Sequence, residues 1–457
     1  MPRDRSSVAF YTGEDVQELA RPDPDSPFHI LVVGDFTGGA GVARKAVPID
    51  RDTFDAVLGA LSPAIELPFG GVPLRIQFRE LEDFHPDRLF ESLPPFQKLR
   101  NLRSRLSHAS TFAAAAAEIA PRAENPPAAA PPSELASLSG ADVLSLMLGE
   151  TPARDKPTAR GDWDQLLHDI VAPYAVPRPD PRQPELVEQT DAAIAGLMRA
   201  ILHHPRFQAM ESNWRALHFL VHRLETGEDL KIALLDMPHA EMAGDTGLGV
   251  LRRALAGEAR AVVAALYYFS PADEPALLRL ASLARSGRAP LLSGLAPDVV
   301  GLTGVFAELR RSPDARWVGF ALPRFLLRLP YGRDTVATDT FAFEEMPAPP
   351  KHERYLWGHP AAACAFLLGQ AFSRHGWAMR PGSFDTIGDL PLHVYKDDGE
   401  SVLKPCAEVL LTEESAALLL ERGFMPLVSI KGSDRVRLLR FQSAADPLAP
   451  LAGRWTK

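Results

Sequence analysis

The first residues in this chain able to hold a metal are two histidine pairs: His203 with His204, adjacent, and His218 with His222, four apart. Zinc needs ligands that converge, as two histidines at i and i+4 do when a third ligand comes from elsewhere. Adjacent histidines point in different directions, so His203 and His204 do not meet that need together. His218 and His222 have the spacing, yet they read more simply as the polar flank of an apolar stripe. That stripe is Phe207, Met210, Trp214, Leu217, Val221 and Leu224, recurring at alternating three- and four-residue steps along one helix face. Pro205 suits the first turn, where a missing N–H costs nothing. The stretch "ILHHPRFQAMESNWRALHFLVHR" is therefore expected to be a packing helix.

The other reactive residue types are scattered. "VVGDFTGGAGVARK" follows a strand and places Gly34 and Gly39 at the spacing of a phosphate loop, but Ala40 and Gly41 stand where its lysine and hydroxyl belong. It reads as a tight turn. Asp236, Ser270 and Ser293 fall at the carboxyl ends of expected strands, where open α/β sheets bind ligands, but no G-x-S-x-G elbow accompanies them. Cys364 follows His359 by five residues inside the apolar run "AAACAFLLG", which suits inert packing. Glu344-Glu345 and Asp397-Asp398 read as solvated loop charges. No catalytic, cofactor-binding or metal-binding residue is assigned, no cofactor is expected, and the chain reads as a non-enzyme.

The elements around these residues alternate strictly after position 230. Apolar strands at 230–236, 261–269, 290–294 and 317–322 are separated by helices near 247–257, 274–286 and 298–310, the pattern of a largely parallel sheet covered on both faces. Before them, 28–106 reads as a small α/β unit: "HILVVGDF" is a buried strand, Leu74, Ile76 and Phe78 point inward from a second, and "PDRLFESLPPFQKLRNLRSRL" is mostly helical. A long helical stretch covers 184–224, with a break near Pro205. Towards the end, a hairpin turns at Asp397-Asp398-Gly399, and "EVLLTEESAALLLERGFMPLVSI" reads as strand, Thr412 N-cap, helix, Gly423 and strand.

The fold class expected is α/β: a small α/β domain joined by an Ala/Pro-rich linker to a larger α/β domain with a mainly parallel sheet and an α+β C-terminal region. The boundaries are 1–27 for an extended arm, 28–110 for the small domain and 111–162 for the linker, whose alanine run extends a helix before the paired prolines. A helical segment at 163–229, the larger α/β domain at 230–345 and the α+β region at 346–457 follow.

Composition narrows the function classes. The 457 residues are 46% hydrophobic with a net charge of −9, which argues against nucleic-acid binding, since phosphate neutralisation needs a basic face. The two cysteines, Cys364 and Cys406, hold no disulfide framework, so a reducing compartment is expected. No secretory signal and no run of about 20 apolar residues is visible, so a cytoplasmic protein without membrane insertion is expected.

"PFHILVVGDFTG", "VPIDRDTFDAVLGAL" and "LRIQFRELEDFHPDRLFESLPPFQKLRNLRSRL" resemble the small subunit of the bacterial type VI secretion contractile sheath (TssB). From about residue 163 the chain resembles the large sheath subunit (TssC). The motifs are "ILHHPRFQAMESNWRALHFLV", "WVGFALPRFLLRLPYGRDT", "YLWGHPAAACAFLLGQAFSRHGW", "LPLHVYKDDG" and "ERGFMPLVSIKGSDRVRLLRFQSA". The resemblance marks Pro205, Phe207, Trp214, Leu217, Pro323, Phe325, Pro330, Tyr331, Trp357, Gly358 and Pro360 as a structural signature.

It implies a fused sheath-type subunit that stacks with copies of itself or other sheath subunits around an inner tube of Hcp-like hexamers, anchored on baseplate proteins. Contraction would be a switch between two packings of the same subunits. It also implies that a ClpV-like AAA+ unfoldase grips the helix "WDQLLHDIVAPYAV" through Leu166, Leu167, Ile170 and Val171. That helix docked on its own domain stays open as the other reading. In the family the large subunit continues into a gpW/gp25-like C-terminal domain, and this sequence is expected to lack it. Two alternatives follow: a non-polymerising baseplate, cap or regulatory homologue, and, in another class, a cytoplasmic α/β enzyme or small-molecule binder.

Overall fold

Phe28–Gly34 reads FHILVVG, and all seven residues are buried. An almost unbroken apolar strand is what a parallel sheet covered on both faces requires. The computed structural model of the protein describes residues 26–39, 45–69, 71–119, 180–257, 260–296, 304–347 and 349–455. These fall in two compact units, residues 1–93 with 197–457, and residues 94–196.

The first unit is built on a nine-stranded sheet. Its members in chain order are β1 (Phe28–Gly34), β2 (Val47–Ile49), β5 (Leu230–Asp236), β6 (Arg260–Phe269), β7 (Leu291–Leu295), β8 (Val318–Leu322), β11 (Thr386–Ile387), β14 (Met425–Ser429) and β15 (Val436–Leu438). Two-stranded pairs outside it are β3 (Ala64–Phe69) with β4 (Val72–Gln77), β9 (Phe325–Leu326) with β10 (Trp357–Gly358), and β12 (Val394–Asp397) with β13 (Glu400–Leu403). The spatial order of the main sheet is β11-β15-β14-β8-β7-β6-β1-β5-β2. From β14 to β5 every neighbouring pair is parallel, and only the flanking pairs are antiparallel.

This is the expected α/β class with a mainly parallel sheet. The placement of β1 is the new finding: sequence reading gave it to the small N-terminal domain, yet it lies between β5 and β6. It pairs Phe28 with Leu230 and Ile30 with both Ile232 and Val262. Residues from the two ends of the sequence therefore share one core.

One face of the sheet, with Leu31, Val33, Leu235 and Val263, is covered by helices Asp245–Gly257 and Glu274–Gly287. Helix Pro360–His375 crosses β1, β6, β7 and β8 on the other face and is apolar on nearly every side, including the buried Cys364. Phe28 meets Phe372 there with ring centroids 4.9 Å apart. Helix Pro205–Arg223 packs beside it, and its whole expected stripe is buried.

Local details follow their residues. Leu74, Ile76 and Phe78 are buried, as the alternation requires. Asp398 and Gly399 turn the β12–β13 hairpin with positive φ of 47° and 85°, and Thr412 caps its helix through Ser415 N at 3.2 Å. The strand expected at "EVLL" is not formed: Ala407 makes one isolated bridge to Phe325, after which Val409 and Leu410 are exposed. That bridge is made by Leu326 N donating to Cys406 O and Glu408 N donating to Arg324 O, and the Glu408 side chain also accepts from Arg324.

In the second unit, helices Pro94–Ser107 and Ala109–Ile119 meet the first part of Gln183–Leu202 around Leu106, Phe112 and Ala115. Arg103 pairs with Asp191, and Gln183 Nε2 donates to Leu106 O at 2.8 Å. The alanine run is helical, and the rest of the expected linker, 120–162, lies outside the described residues.

Candidate functional site

Three helices of the first unit open with the same dipeptide. His85-Pro86, His204-Pro205 and His359-Pro360 each put histidine at the N-cap and proline in the first turn. In each, imidazole Nδ1 accepts from the backbone N–H two residues on, at 3.2 Å. An accepting Nδ1 carries no proton, so the cap exists only with a neutral ring. Burial pushes His85 down from its ordinary range and His359 down to about 3. His204 is thus a helix cap, while His203 Nε2 lies 3.4 Å from Glu345. His218 and His222 stack on each other 3.7 Å apart beneath the edge of Phe54, and no group of three candidate metal ligands occurs among the described residues.

The capped helix carries the signature into the core. Phe207 packs against Phe78 and Phe84, and Trp214 against Phe36 and Phe54, while Trp214 Nε1 donates to Phe36 O at 3.0 Å. Leu217, Pro323, Pro330 and Pro360 are buried. Phe325 meets Phe219 at 5.4 Å. Trp357 and Gly358 pair with Leu326 and Phe325, and a Cβ on Gly358 would come within 2.6 Å of Leu327.

Beside this stripe the two signature motifs meet through buried charge. Glu211, fully buried, accepts from Arg215 Nε at 2.7 Å and from Arg328 Nε at 2.7 Å. The other edge of Arg328 donates to Glu345 at 2.8 and 3.2 Å. Glu345 also accepts from Tyr331 N at 2.8 Å, and Arg215 reaches the Tyr331 hydroxyl at 3.1 Å. Burial opposes charge on Glu345, but Arg328, the neighbouring His203 ring and the hydrogen bonds from Arg328 and Tyr331 N outweigh it and hold the carboxyl at about 2. The flanking carboxylates outweigh the same burial cost on Arg328 and raise it well above its ordinary value. Sequence reading placed Glu345 among solvated loop charges. It is instead buried, because Arg328 and the Tyr331 N–H give its carboxylate what water would. Its neighbour Glu344 is exposed.

The residues considered for catalysis hold the backbone in place. Asp236 accepts from Phe36 N, Thr37 N and Thr37 Oγ1 at 2.8, 3.1 and 2.6 Å, and Asp35 Oδ1 accepts from Gly38 N and Gly39 N. Carboxylates therefore occupy the amides that a phosphate loop would offer, and two negative charges there would repel a phosphate. Ser293 donates to Ala265 O and Tyr267 O, and Ser270 to Asp273. His359 is occupied as a cap and with Tyr267 O at 2.7 Å, while burial pushes the Cys364 thiol far above its usual range. Leu166, Leu167, Ile170 and Val171 lie outside the described residues.

Beside the turn at 36–39 a cavity of about 490 Å³ opens, lined by Asp35, Asn213, His239, Tyr268, Arg324 and Trp357 among others. Asp236, Ser270 and Ser293 are not in its wall.

Comparison with known proteins finds two families along the chain. Residues 18–120 match the family described as "Type VI secretion system, VipA, VC_A0107 or Hcp2". Residues 184–250 and 304–445 match "EvpB/VC_A0108, tail sheath N-terminal domain", the VipB family. The type VI secretion system sheath protein TssC1 of Pseudomonas aeruginosa strain PAO1 is 31% identical over 304 residues, covering 57% of this chain and 61% of that protein. This chain thus spans less than two thirds of that relative's length. A cryo-EM structure of the anti-feeding prophage baseplate aligns over 50% of this chain and 49% of its own, at 16% identity and a TM-score of 0.30, a likeness too slight to speak for the fold. Two type VI secretion sheath families thus match successive stretches of this one polypeptide, a VipA-type segment followed by a VipB-type tail sheath domain.

Proposed function

We propose that this protein is a structural sheath subunit of a type VI secretion system, acting by assembly and not by catalysis. The observation that carries the reading is the succession of VipA-type and VipB-type matches along one chain, with β1 of the first paired to β5 of the second. Joining the two holds them at high effective concentration and fixes their ratio. The partners in this reading are further sheath subunits, an inner tube of Hcp-like hexamers, baseplate proteins, and a ClpV-like unfoldase acting on Leu166, Leu167, Ile170 and Val171. The domain limits at 110 and 162 belong to the same proposal. No described helix is long and apolar enough to cross a membrane, which fits a subunit of a soluble tube.

Negative-stain microscopy of the purified chain, alone and with its inner-tube protein, tests this. Helical tubes or stacked rings are expected. Dispersed particles under both conditions would sink a self-sufficient sheath and favour the baseplate, cap or regulatory homologue.

A further inference from the structure

Helix Pro86–Ser92 carries contacts that reach across the chain to the loop after β9. Asp87 Oδ2 accepts from Asp339 N at 3.0 Å, and its Oδ1 accepts from Thr340 N at 3.1 Å and from Thr340 Oγ1 at 2.5 Å. Phe90, one turn on, stacks on Phe341 with ring centroids 4.4 Å apart. The helix lies in the VipA-type stretch and the loop in the VipB-type stretch, so these contacts tie one to the other. Directly before them stands the helix cap, His85, whose Nδ1 accepts from Asp87 N at 3.2 Å and lies 3.5 Å from Asp87 Oδ2. One carboxylate oxygen thus sits between a loop amide and an imidazole nitrogen. The His85 side chain is 27% exposed, so solvent protons reach it.

We propose that His85 and Asp87 form a proton-operated latch, in which a neutral ring leaves Asp87 to the loop and a protonated ring draws it away. A proton on Nδ1 turns that nitrogen from acceptor to donor. It then releases Asp87 N, which becomes an orphan donor in the first turn, and faces Asp87 Oδ2. A charge-assisted N–H···O bond closes to about 2.7–2.9 Å. The carboxylate must therefore move towards the ring from its 3.5 Å distance, and away from the amide of Asp339. Four charged groups face the ring. Asp87 on its own helix and Asp339 on the loop favour the imidazolium, while Arg215 of helix Pro205–Arg223 and Arg328 after β9 oppose it. Tyr331 meets the ring edge-on at 4.8 Å. Burial, joined by the two arginines, outweighs the carboxylates and sets His85 below its ordinary 6.5. The latch is thus closed above pH 6.5 and opens as pH falls through the lower folded value. The Phe90–Phe341 stack does not titrate, so acid frees residues 339 and 340 without detaching the helix. All these contacts lie within one chain, so the latch works alike in a sheath subunit and in a non-polymerising homologue.

Hydrogen exchange of the full chain, read by mass spectrometry, tests both halves of the latch. Slow exchange of the histidine Cε1 hydrogens gives the titration midpoint of His85, expected below 6.5. Amide exchange in peptides covering 335–343, corrected for the intrinsic rate, is expected to be about fivefold faster at about pH 5 than at about pH 7.5, with β1 unchanged. His85→Asn keeps an N-cap that does not titrate, so its loop should exchange at one corrected rate at both pH values. Asp87→Ala has no carboxylate to hold the loop and should exchange fast at both. A midpoint at or above 6.5, or a wild-type loop whose corrected exchange ignores pH, overturns the latch. So does a His85→Asn variant that keeps the wild-type dependence, or slow loop exchange in Asp87→Ala. The two wild-type readings need no substitution, so they decide the proposal even where a variant unfolds the helix.

Discussion

Glu211 and Arg328 stand 117 positions apart and are joined by two hydrogen bonds, 2.7 Å from Nε and 3.3 Å from Nη2. Glu345 holds the opposite edge of the same guanidinium. One arginine thereby fixes the Pro205–Arg223 helix against the loop that follows β9, in a place where water cannot replace it. Removing one member of such a group leaves a buried charge unanswered, while removing all of them does not.

Arg328→Met is therefore expected to cost about 3–5 kcal/mol of stability. The triple change of Glu211, Arg328 and Glu345 to methionine should cost less than the sum of the three single changes. Urea unfolding of the four variants checks this, and additive losses would show that the three groups do not act as a unit.

Acid should destabilise the protein in two windows. His359 and Glu345 have folded-state values of about 3 and about 2, below their ordinary 6.5 and 4.5. Each therefore contributes stability that is full above the ordinary value and lost as pH falls through the folded one. His359→Asn keeps an N-cap that does not titrate, so its melting temperature should depend less on pH between 6.5 and 3. Glu345→Gln should flatten the lower window only. An unchanged pH profile in either variant would refute the assignment of that window.

Gly358 pairs with Phe325 in a backbone approach that leaves no room for a side chain, since a Cβ would meet Leu327 Cγ at 2.6 Å. Gly358→Ala is expected to cost about 1–3 kcal/mol through overpacking. Alanine at Gly196, where nothing lies within 4 Å, should be neutral or slightly stabilising because Gly196 sits inside a helix. Thermal melting of both variants checks the contrast.

Local patterns carried much of this structure into the sequence. The stripe from Phe207 to Leu224 and the run FHILVVG announced a buried helix and a buried strand, because burial on a known face leaves a period. What the run does not state is its neighbours: Phe28 opposite Leu230 is a pairing across about 200 positions, and no local period encodes it. Glu345 was hidden for a related reason. Its partner Arg328 lies beyond a Pro- and Gly-containing loop, so a charge that ends in the core reads as one facing solvent. Histidine as a helix cap was missed because the usual capping residues are oxygen acceptors, whereas here Nδ1 takes the same N–H. Asp236 was placed correctly at a strand end, but its carboxylate holds the turn at Phe36 and Thr37 instead of facing a ligand.

The central position of β1 yields the sharpest test of how the two parts of the chain depend on each other. With 28–34 absent, β5 and β6 would each expose a buried edge, and the apolar faces of Leu31, Val33 and Val32 would be missing from both layers. Open apolar edges in the middle of a sheet invite aggregation. Residues 180–457 expressed alone should therefore be insoluble, and residues 1–119 expressed alone should lack stable tertiary structure. Co-expressed as two chains, they should copurify at one to one with the circular dichroism spectrum of the intact protein. A soluble, cooperatively melting 180–457 fragment would contradict a shared sheet and give each part its own core.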